Sequence, residues 1–210
     1  MKTMVLIPCM DTVQTEFCQS LVKMQHVGQV GFSFHSCSLI YKARNDLAEH
    51  AIAEDTEYTL WLDSDVMFPS SLLVDMMESI QGRDIVTGVY HMRRPPYAPV
   101  IWKTLRKGLT AEENTSELAV EYPKDDIFEV EGCGFGCVLM RTEVMKTIRA
   151  KYHDLFTPTP GFGEDLSFCI RARGCGYKIH CDPRIQIGHK GSTIITGETF
   201  KSYQAAGGKV

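Results

Sequence analysis

The stretch Thr59-Leu60-Trp61-Leu62-Asp63-Ser64-Asp65 constrains the chain most strongly. Thr59 to Leu62 is apolar or β-prone without alternation, which suits a strand buried on both faces. Two carboxylates follow at once, split by one small residue. Phe68-Pro69-Ser70 then stops the strand and offers a helix cap. The strand therefore delivers two acids to its carboxyl edge, where ligands sit in open α/β sheets. No Lys or Arg accompanies them in that stretch, so they call for a cation. Hard divalent ions such as Mg²⁺ take carboxylates together with substrate phosphate oxygens. The simpler reading is that Asp63 and Asp65 are turn residues ending a strand, and the rest of the chain has to decide.

Strand and helix patterns alternate around that stretch. Val5 to Pro8 is a first buried strand, Thr15 to Met24 has helical spacing, and Gln29 to Ser36 is a second strand. Residues 42–46 open a helix to about Glu54. This β-α-β-α-β order implies a parallel, right-handed, doubly wound sheet. Further on come a helix from Ser70 or Ser71 to Ile80 and a strand from Asp84 to Val89. Ala98 to Lys103 reads as an edge strand, and Leu105 to Lys124 as a polar excursion without regular structure. Strands follow at Ile127 to Glu131 and Val138 to Arg141, then a helix over Thr142 to Ala150 capped by Thr142. A Pro/Gly loop over 156–163 leads into a helix from Glu164 to Arg173. Two short strands, Lys178 to Cys181 and Ile185 to Ile187, precede a tail with a short helix at Glu198 to Ala205. The expected fold class is α/β, a Rossmann-like, mostly parallel central sheet flanked by helices. A length of 210 residues fits one domain, 1–210.

A net charge of −4 gives no electrostatic case for a nucleic-acid partner. No apolar run reaches the length of a transmembrane segment. The apolar run at the N-terminus is too short for a signal peptide and is broken by Pro8. The 8 cysteines form no Cys-x-x-Cys pair. Reduced thiols in a cytoplasmic protein are the expectation, with Cys9, Cys18, Cys37 and Cys169 as small core residues. A zinc site from Cys133, Cys137, Cys175 and Cys181 is the alternative use.

Two further points could carry chemistry. Glu164-Asp165 opens a helix, where acids gain about 0.3–1 kcal/mol from the helix dipole. One of them could instead accept a proton from an attacking hydroxyl. His189, bracketed by Gly188 and Gly191, is either an ordinary residue or the nitrogen ligand that completes a metal site with the aspartates. Mixed oxygen and nitrogen ligands suit Mn²⁺ better than Ca²⁺. There is no phosphate-binding Gly-x-x-x-x-Gly-Lys run and no Gly-x-Ser-x-Gly elbow. Gly132-Cys133-Gly134-Phe135-Gly136 does not match the dinucleotide pattern. Arg93-Arg94 and Lys103 to Lys107 read as solvated surface charge rather than as contacts to an anionic acceptor.

The order of these pieces resembles the nucleotide-sugar glycosyltransferases of the A-type fold, most of all their family 2. Val5-Leu6-Ile7-Pro8-Cys9-Met10-Asp11 resembles the opening strand, and Ala43-Arg44-Asn45 the Arg-Asn segment near the nucleotide. Leu60 to Asp65 is similar to the Asp-x-Asp strand end. Gly132 to Arg141 resembles the glycine-bearing strand, and Gly161-Phe162-Gly163-Glu164-Asp165 the Glu-Asp helix start. His189 stands where many members have a late His. The resemblance implies that Asp63-Ser64-Asp65 binds metal and diphosphate, with Mn²⁺ or Mg²⁺ held by Asp63, Asp65 and His189. It implies Asp165 as general base and Glu164 on donor or acceptor hydroxyls, with Pro8, Asp11, Arg44 and Asn45 lining the nucleotide pocket. Residues 1–90 would bind the nucleotide sugar and 91–210 the acceptor. The donor would be a UDP-sugar ahead of a GDP-sugar, and a single base without an enzyme nucleophile suggests inversion. Ser33-Phe34-His35-Ser36 replaces the family's base-reading Asp. The rivals are an Asp-x-Asp phosphohydrolase, which wants Thr or Val where Met67 stands, a nucleotidyltransferase, and a sugar- or nucleotide-binding module without catalysis.

Overall fold

The run that ends at Asp63 is a strand whose five residues are all buried, because helices cover both faces of the sheet it lies in. The computed structural model describes residues 1–191 and 194–209. The first half folds as β1 (Lys2–Cys9), α1 (Thr15–Lys23), β2 (Gln29–Ser36), α2 (Ile40–Ala53), β3 (Tyr58–Leu62), β4 (Val66–Met67), α3 (Leu72–Ser79) and β5 (Ile85–Val89). Then come β6 (Ile101–Arg106), β7 (Thr115–Leu118), β8 (Phe128–Val130), β9 (Gly132–Cys133), β10 (Cys137–Arg141), α4 (Thr142–Tyr152) and α5 (Glu164–Gly174). β11 (Ile179–Gln186), β12 (Gly188–Lys190), β13 (Ile194–Ile195) and α6 (Gly197–Ala205) complete the described order.

The central sheet has seven strands in the order β2-β1-β3-β10-β5-β11-β8. Strands β2, β1, β3, β5 and β11 share one direction, and β10 and β8 oppose it. The mostly parallel α/β sheet is therefore as expected, with β10 inserted antiparallel between β3 and β5. Its residues Cys137 to Met140 are buried, and an apolar strand of that kind belongs at a sheet centre. Two small sheets, β13-β12-β4 and β7-β6-β9, sit beside it. Among the described residues no helix is long and apolar enough to cross a membrane.

Several local expectations change. Thr142 is the first residue of α4 rather than its cap. It is buried, and its hydroxyl lies 3.2 Å from that of Thr56. Leu105 to Lys124 is partly regular: β6 runs on to Arg106 and pairs with β7, and the segment looked unpatterned because most of β7 is solvated. The two short strands at 178–187 are one strand, β11, with an irregular register between Cys181 and Gln186. Pro183 lies in that gap, and proline cannot donate to a ladder. Helix α2 starts at Ile40, two residues before Lys42. Cys169 is buried as expected, but Cys9, Cys18 and Cys37 are partly exposed. Among the described residues no three His, Cys, Asp or Glu side chains converge as a metal cage, which removes the cysteine zinc site.

The glycines of 132–136 have a packing role. A Cβ on Gly134 would lie 2.0 Å from the Tyr90 hydroxyl oxygen and 2.7 Å from Val100, and one on Gly136 would lie 2.8 Å from the Tyr90 ring. Tyr90 is buried against this wall, and its hydroxyl accepts the Gly136 N–H at 3.2 Å. The Gly136 carbonyl in turn accepts the Asp63 N–H at 3.3 Å, so the wall also seats the strand end. Gly134→Ala should cost about 2–3 kcal/mol through overpacking, a fall of roughly 5–10 °C in Tm. Adding Tyr90→Phe should recover part of that loss, and a Gly134→Ala protein that melts like the wild type would refute the packing account.

Candidate functional site

The carboxyl edge of the sheet opens into a cleft of about 920 Å³. The end of β1 supplies Pro8, Cys9 and Met10, and the end of β3 supplies Asp63, Ser64 and Asp65. Tyr90, Met92, Arg93 and Arg94 come from the segment after β5, Ile40 and Arg44 from α2, Glu164 from the start of α5, and His189 from β12. Main-chain bonds hold the acidic turn from three sides. The Gln14 N–H donates to the Ser64 carbonyl at 3.1 Å, the Lys190 N–H to the Asp65 carbonyl at 2.8 Å, and the Asp63 N–H to Gly136.

The cation beside Asp63 is Arg44. Its Nη2 donates to Asp63 Oδ1 at 2.8 Å and its Nε to Glu164 Oε1 at 3.4 Å. The residue is 2% exposed. Its guanidinium carbon lies 5.3 Å from the Phe135 ring centroid, above a cluster in which Phe135, Phe156 and Phe168 pack with centroids 4.8–4.9 Å apart. Burial alone would lower the Arg44 pKa, but Asp63 and Glu164 more than reverse that and raise it. Its Nη1 is buried with no partner among the described residues.

The second aspartate faces the other way. Asp65 Oδ2 accepts from Arg93 Nη1 at 2.6 Å, and its Oδ1 is 3.4 Å from His189 Nε2. Burial alone would raise its pKa, but His189 and Arg93 outweigh that and hold the carboxyl low. His189 is brought there by β12, which pairs antiparallel with β4 directly after the acids, His189 opposite Val66. Its Nδ1 donates to the His91 carbonyl at 2.8 Å, so Nε2 is the nitrogen turned to Asp65.

Glu164 and Asp165 occupy the first turn of α5. Glu164 lines the cleft, whereas Asp165 stands behind it and accepts the Leu166 N–H at 2.7 Å. Burial and the neighbouring Glu164 carboxylate push the Asp165 pKa up to about 6, against the lowering by that hydrogen bond and by Arg44.

Not every expected residue reaches the cleft. Asn45 is turned away: it donates to Asp154 at 3.1 Å and accepts the Phe156 N–H at 2.9 Å, which ties down the loop before α5. Asp11 is exposed and does not line the cleft. Asp63, Asp65 and His189 do not converge on one point, because Asp63 is committed to Arg44. Conversely, Tyr90 and Met92, which the sequence reading left out of the site, and Arg93 and Arg94, which it took for solvated surface charge, line the cleft. Their signal was position, since they follow a second strand that ends at the same edge. Lys103 and Arg106 instead pair with Glu117 and Glu131.

No family model and no curated protein matches the sequence. Among solved structures the chain is similar to A197 from STIV at 18% identity and a TM-score of 0.62, over 91% of this chain and 86% of that one. It is similar to S. aureus TarS 1-349, also solved in complex with UDP-GlcNAc, at 16% identity and a TM-score of 0.53. That match covers 88% of this chain and 58% of TarS 1-349. It is similar to GalNAc-T7 with UDP, GalNAc and Mn²⁺ at 11% identity and a TM-score of 0.60, over 90% of this chain and 42% of that one. TarS and GalNAc-T7 are glycosyltransferases, and this chain has the glycosyltransferase A-type fold they share.

The raised Asp165 pKa has a consequence for stability. A carboxyl whose pKa is higher folded than unfolded resists ionising in the fold. Its cost is absent below about pH 4, grows as pH rises to 6, and is complete above that. Asp165→Asn should therefore stabilise the protein by about 1–3 kcal/mol at pH 8 and leave it nearly unchanged at pH 4. Thermal melts at the two pH values check this, and an equal effect at both would remove the raised pKa.

Proposed function

We propose that the chain is a metal-dependent glycosyltransferase that moves a sugar from a nucleoside-diphosphate sugar to an acceptor hydroxyl. The reading is carried by one observation: segments far apart in sequence bring Asp63-Ser64-Asp65, the Arg44–Glu164 pair and His189 to a single cleft at the sheet edge.

The donor atoms fit a divalent ion. Asp65 offers a carboxylate, and His189, its Nδ1 committed to a carbonyl, offers Nε2 beside it. One oxygen and one nitrogen donor suit Mn²⁺, with Mg²⁺ as the harder alternative. When bound, the ion would supply neutralising charge to the departing nucleoside diphosphate. Asp63 serves this reading by fixing Arg44 rather than by ligating the metal. Pro8, Cys9 and Met10 would border the nucleotide.

Arg93 and Arg94 would lie along the diphosphate. Arg93 has only the Asp65 carboxylate to leave, and Arg94 has no ion pair among the described residues. Residues 1–90 would thus hold most of the donor, with the two arginines and His189 reaching back from 91–210, the half assigned to the acceptor.

Asp165 would take the proton of the attacking hydroxyl, which would have to reach it past Glu164, since Glu164 and not Asp165 lines the cleft. With a pKa of about 6 it is mostly ionised at neutral pH and more basic than an ordinary aspartate. Glu164 would orient a hydroxyl from the cleft wall. Asp165 as the single base goes with inversion. A UDP-sugar is favoured over a GDP-sugar, in keeping with the ligands of the similar structures.

A thermal-shift panel of UDP, GDP, CDP and dTDP, with and without Mn²⁺, tests the reading. A ligand at about a hundred times its Kd adds about 2.7 kcal/mol, roughly 5–10 °C for a domain of this size. One diphosphate should give that rise only with Mn²⁺, and Asp65→Ala should abolish it. No shift with any of the four would overturn the donor assignment.

A further inference from the structure

Two arginines in the cleft are held in opposite ways. Arg44 is locked: its side chain is 3% exposed, it serves two carboxylates, and it lies against the Phe135 ring. Arg93 is tethered at one point. Its Nη1 donates to Asp65 Oδ2 at 2.6 Å, that carboxylate is its one ion-pair partner among the described residues, and its side chain is 54% exposed. An ion pair so open to water is weak, so a competing charge displaces it.

The main chain around Arg93 is fixed. The Met92 N–H donates to the Ala98 carbonyl, the Tyr97 N–H to the Arg94 carbonyl and the Val100 N–H to the Tyr90 carbonyl, each at 2.9 Å. His91 forms a β-bridge with Pro99. The guanidinium therefore changes partner by side-chain rotation alone, and does so inside the cleft that Arg93 and Arg94 line.

Asp65 is the carboxylate that two cations would share. Its Oδ1 faces His189 Nε2 at 3.4 Å, and its Oδ2 is the oxygen that Arg93 holds. A divalent cation arriving at Asp65 and His189 meets a guanidinium already on the carboxylate, and like charges at that range repel. A diphosphate arriving alone meets an arginine already engaged with Asp65. The planar fork of arginine suits phosphate oxygens as well as a carboxylate. Its transfer from Asp65 to a diphosphate frees the carboxylate for the cation. Each ligand thus removes the obstacle to the other, and such coupling is reciprocal.

We propose that Arg93 is a displaceable counter-ion of Asp65 that couples binding of a divalent cation to binding of a diphosphate. The diphosphate half rests on the sugar-transfer reading; the counter-ion half does not. The test follows free Mn²⁺ by electron paramagnetic resonance in titrations of the wild type, Arg93→Gln, Arg93→Ala and Arg94→Gln, each first shown by its melting curve to be folded. Without nucleotide, both Arg93 variants should bind Mn²⁺ at least tenfold tighter than the wild type, a gain that a merely structural role for Arg93 would not give. Arg94→Gln, at a position with no ion pair among the described residues, should change that affinity less than threefold. The titrations are then repeated with UDP, GDP, CDP and dTDP. One of them should tighten Mn²⁺ binding to the wild type at least tenfold, and that tightening should be at least fivefold smaller in the Arg93 variants. Mn²⁺ binding to the Arg93 variants that is no tighter than to the wild type, or a nucleotide effect equal in both, would overturn the proposal. If none of the four diphosphates tightens Mn²⁺ binding while the tenfold gain of the Arg93 variants stands, the donor reading and the coupling are overturned and the counter-ion role is upheld.

Discussion

A buried guanidinium holds this site together. Arg44 lies under the cleft floor, against aromatic rings, with Asp63 on one nitrogen and Glu164 on another. Removing one partner of such a buried pair typically costs about 3–5 kcal/mol, because it leaves uncompensated charge in a dry place. The pair also sets the chemistry around it. One cation serves three carboxylates, Asp63, Glu164 and Asp165, and the third is left with too little positive charge. Asp165 consequently becomes the basic member, although it stands in a helix first turn whose dipole favours the ionised form. Burial and the adjacent Glu164 outweigh the dipole, Arg44 and the Leu166 amide.

The opposite wall depends on strand pairing. β4 is two residues long, yet its pairing with β12 places His189 beside Asp65. Tyr90 fills the space beneath, its ring nearly perpendicular to that of His189 with centroids 5.3 Å apart, and leans on the wall that Gly134 and Gly136 leave open. The closely spaced glycines of 132–136 are thus the surface on which a tyrosine packs. They reach the chemistry indirectly, through the main chain of Asp63.

Much of this was legible from residue pattern. The both-face-buried strand into Asp63, the alternation of strand and helix before it, and the Glu-Asp helix start all follow from local rules, and the mostly parallel sheet follows from their order. What escaped was non-local. Asp63 looked as if it lacked a cation because only its own stretch was searched, and Arg44 comes from the preceding helix. Asn45, one residue on, faces a different direction on α2 and anchors a loop instead. The antiparallel insertion of β10 leaves no mark on its composition, since a central strand is apolar in either direction. Arg93 and Arg94 carry no helical or strand period, so their charge read as solvated, although their place after β5 put them at the ligand edge.

The most direct test of the account is whether this cleft breaks a nucleotide sugar. Purified protein should be incubated with UDP-, GDP-, CDP- and dTDP-sugars and Mn²⁺, and the released nucleoside diphosphate measured. The account predicts release from one donor class, dependent on Mn²⁺, falling as pH drops through about 6, and lost in Asp65→Ala and Asp165→Asn. No release from any donor, or release unchanged by both substitutions, would contradict it.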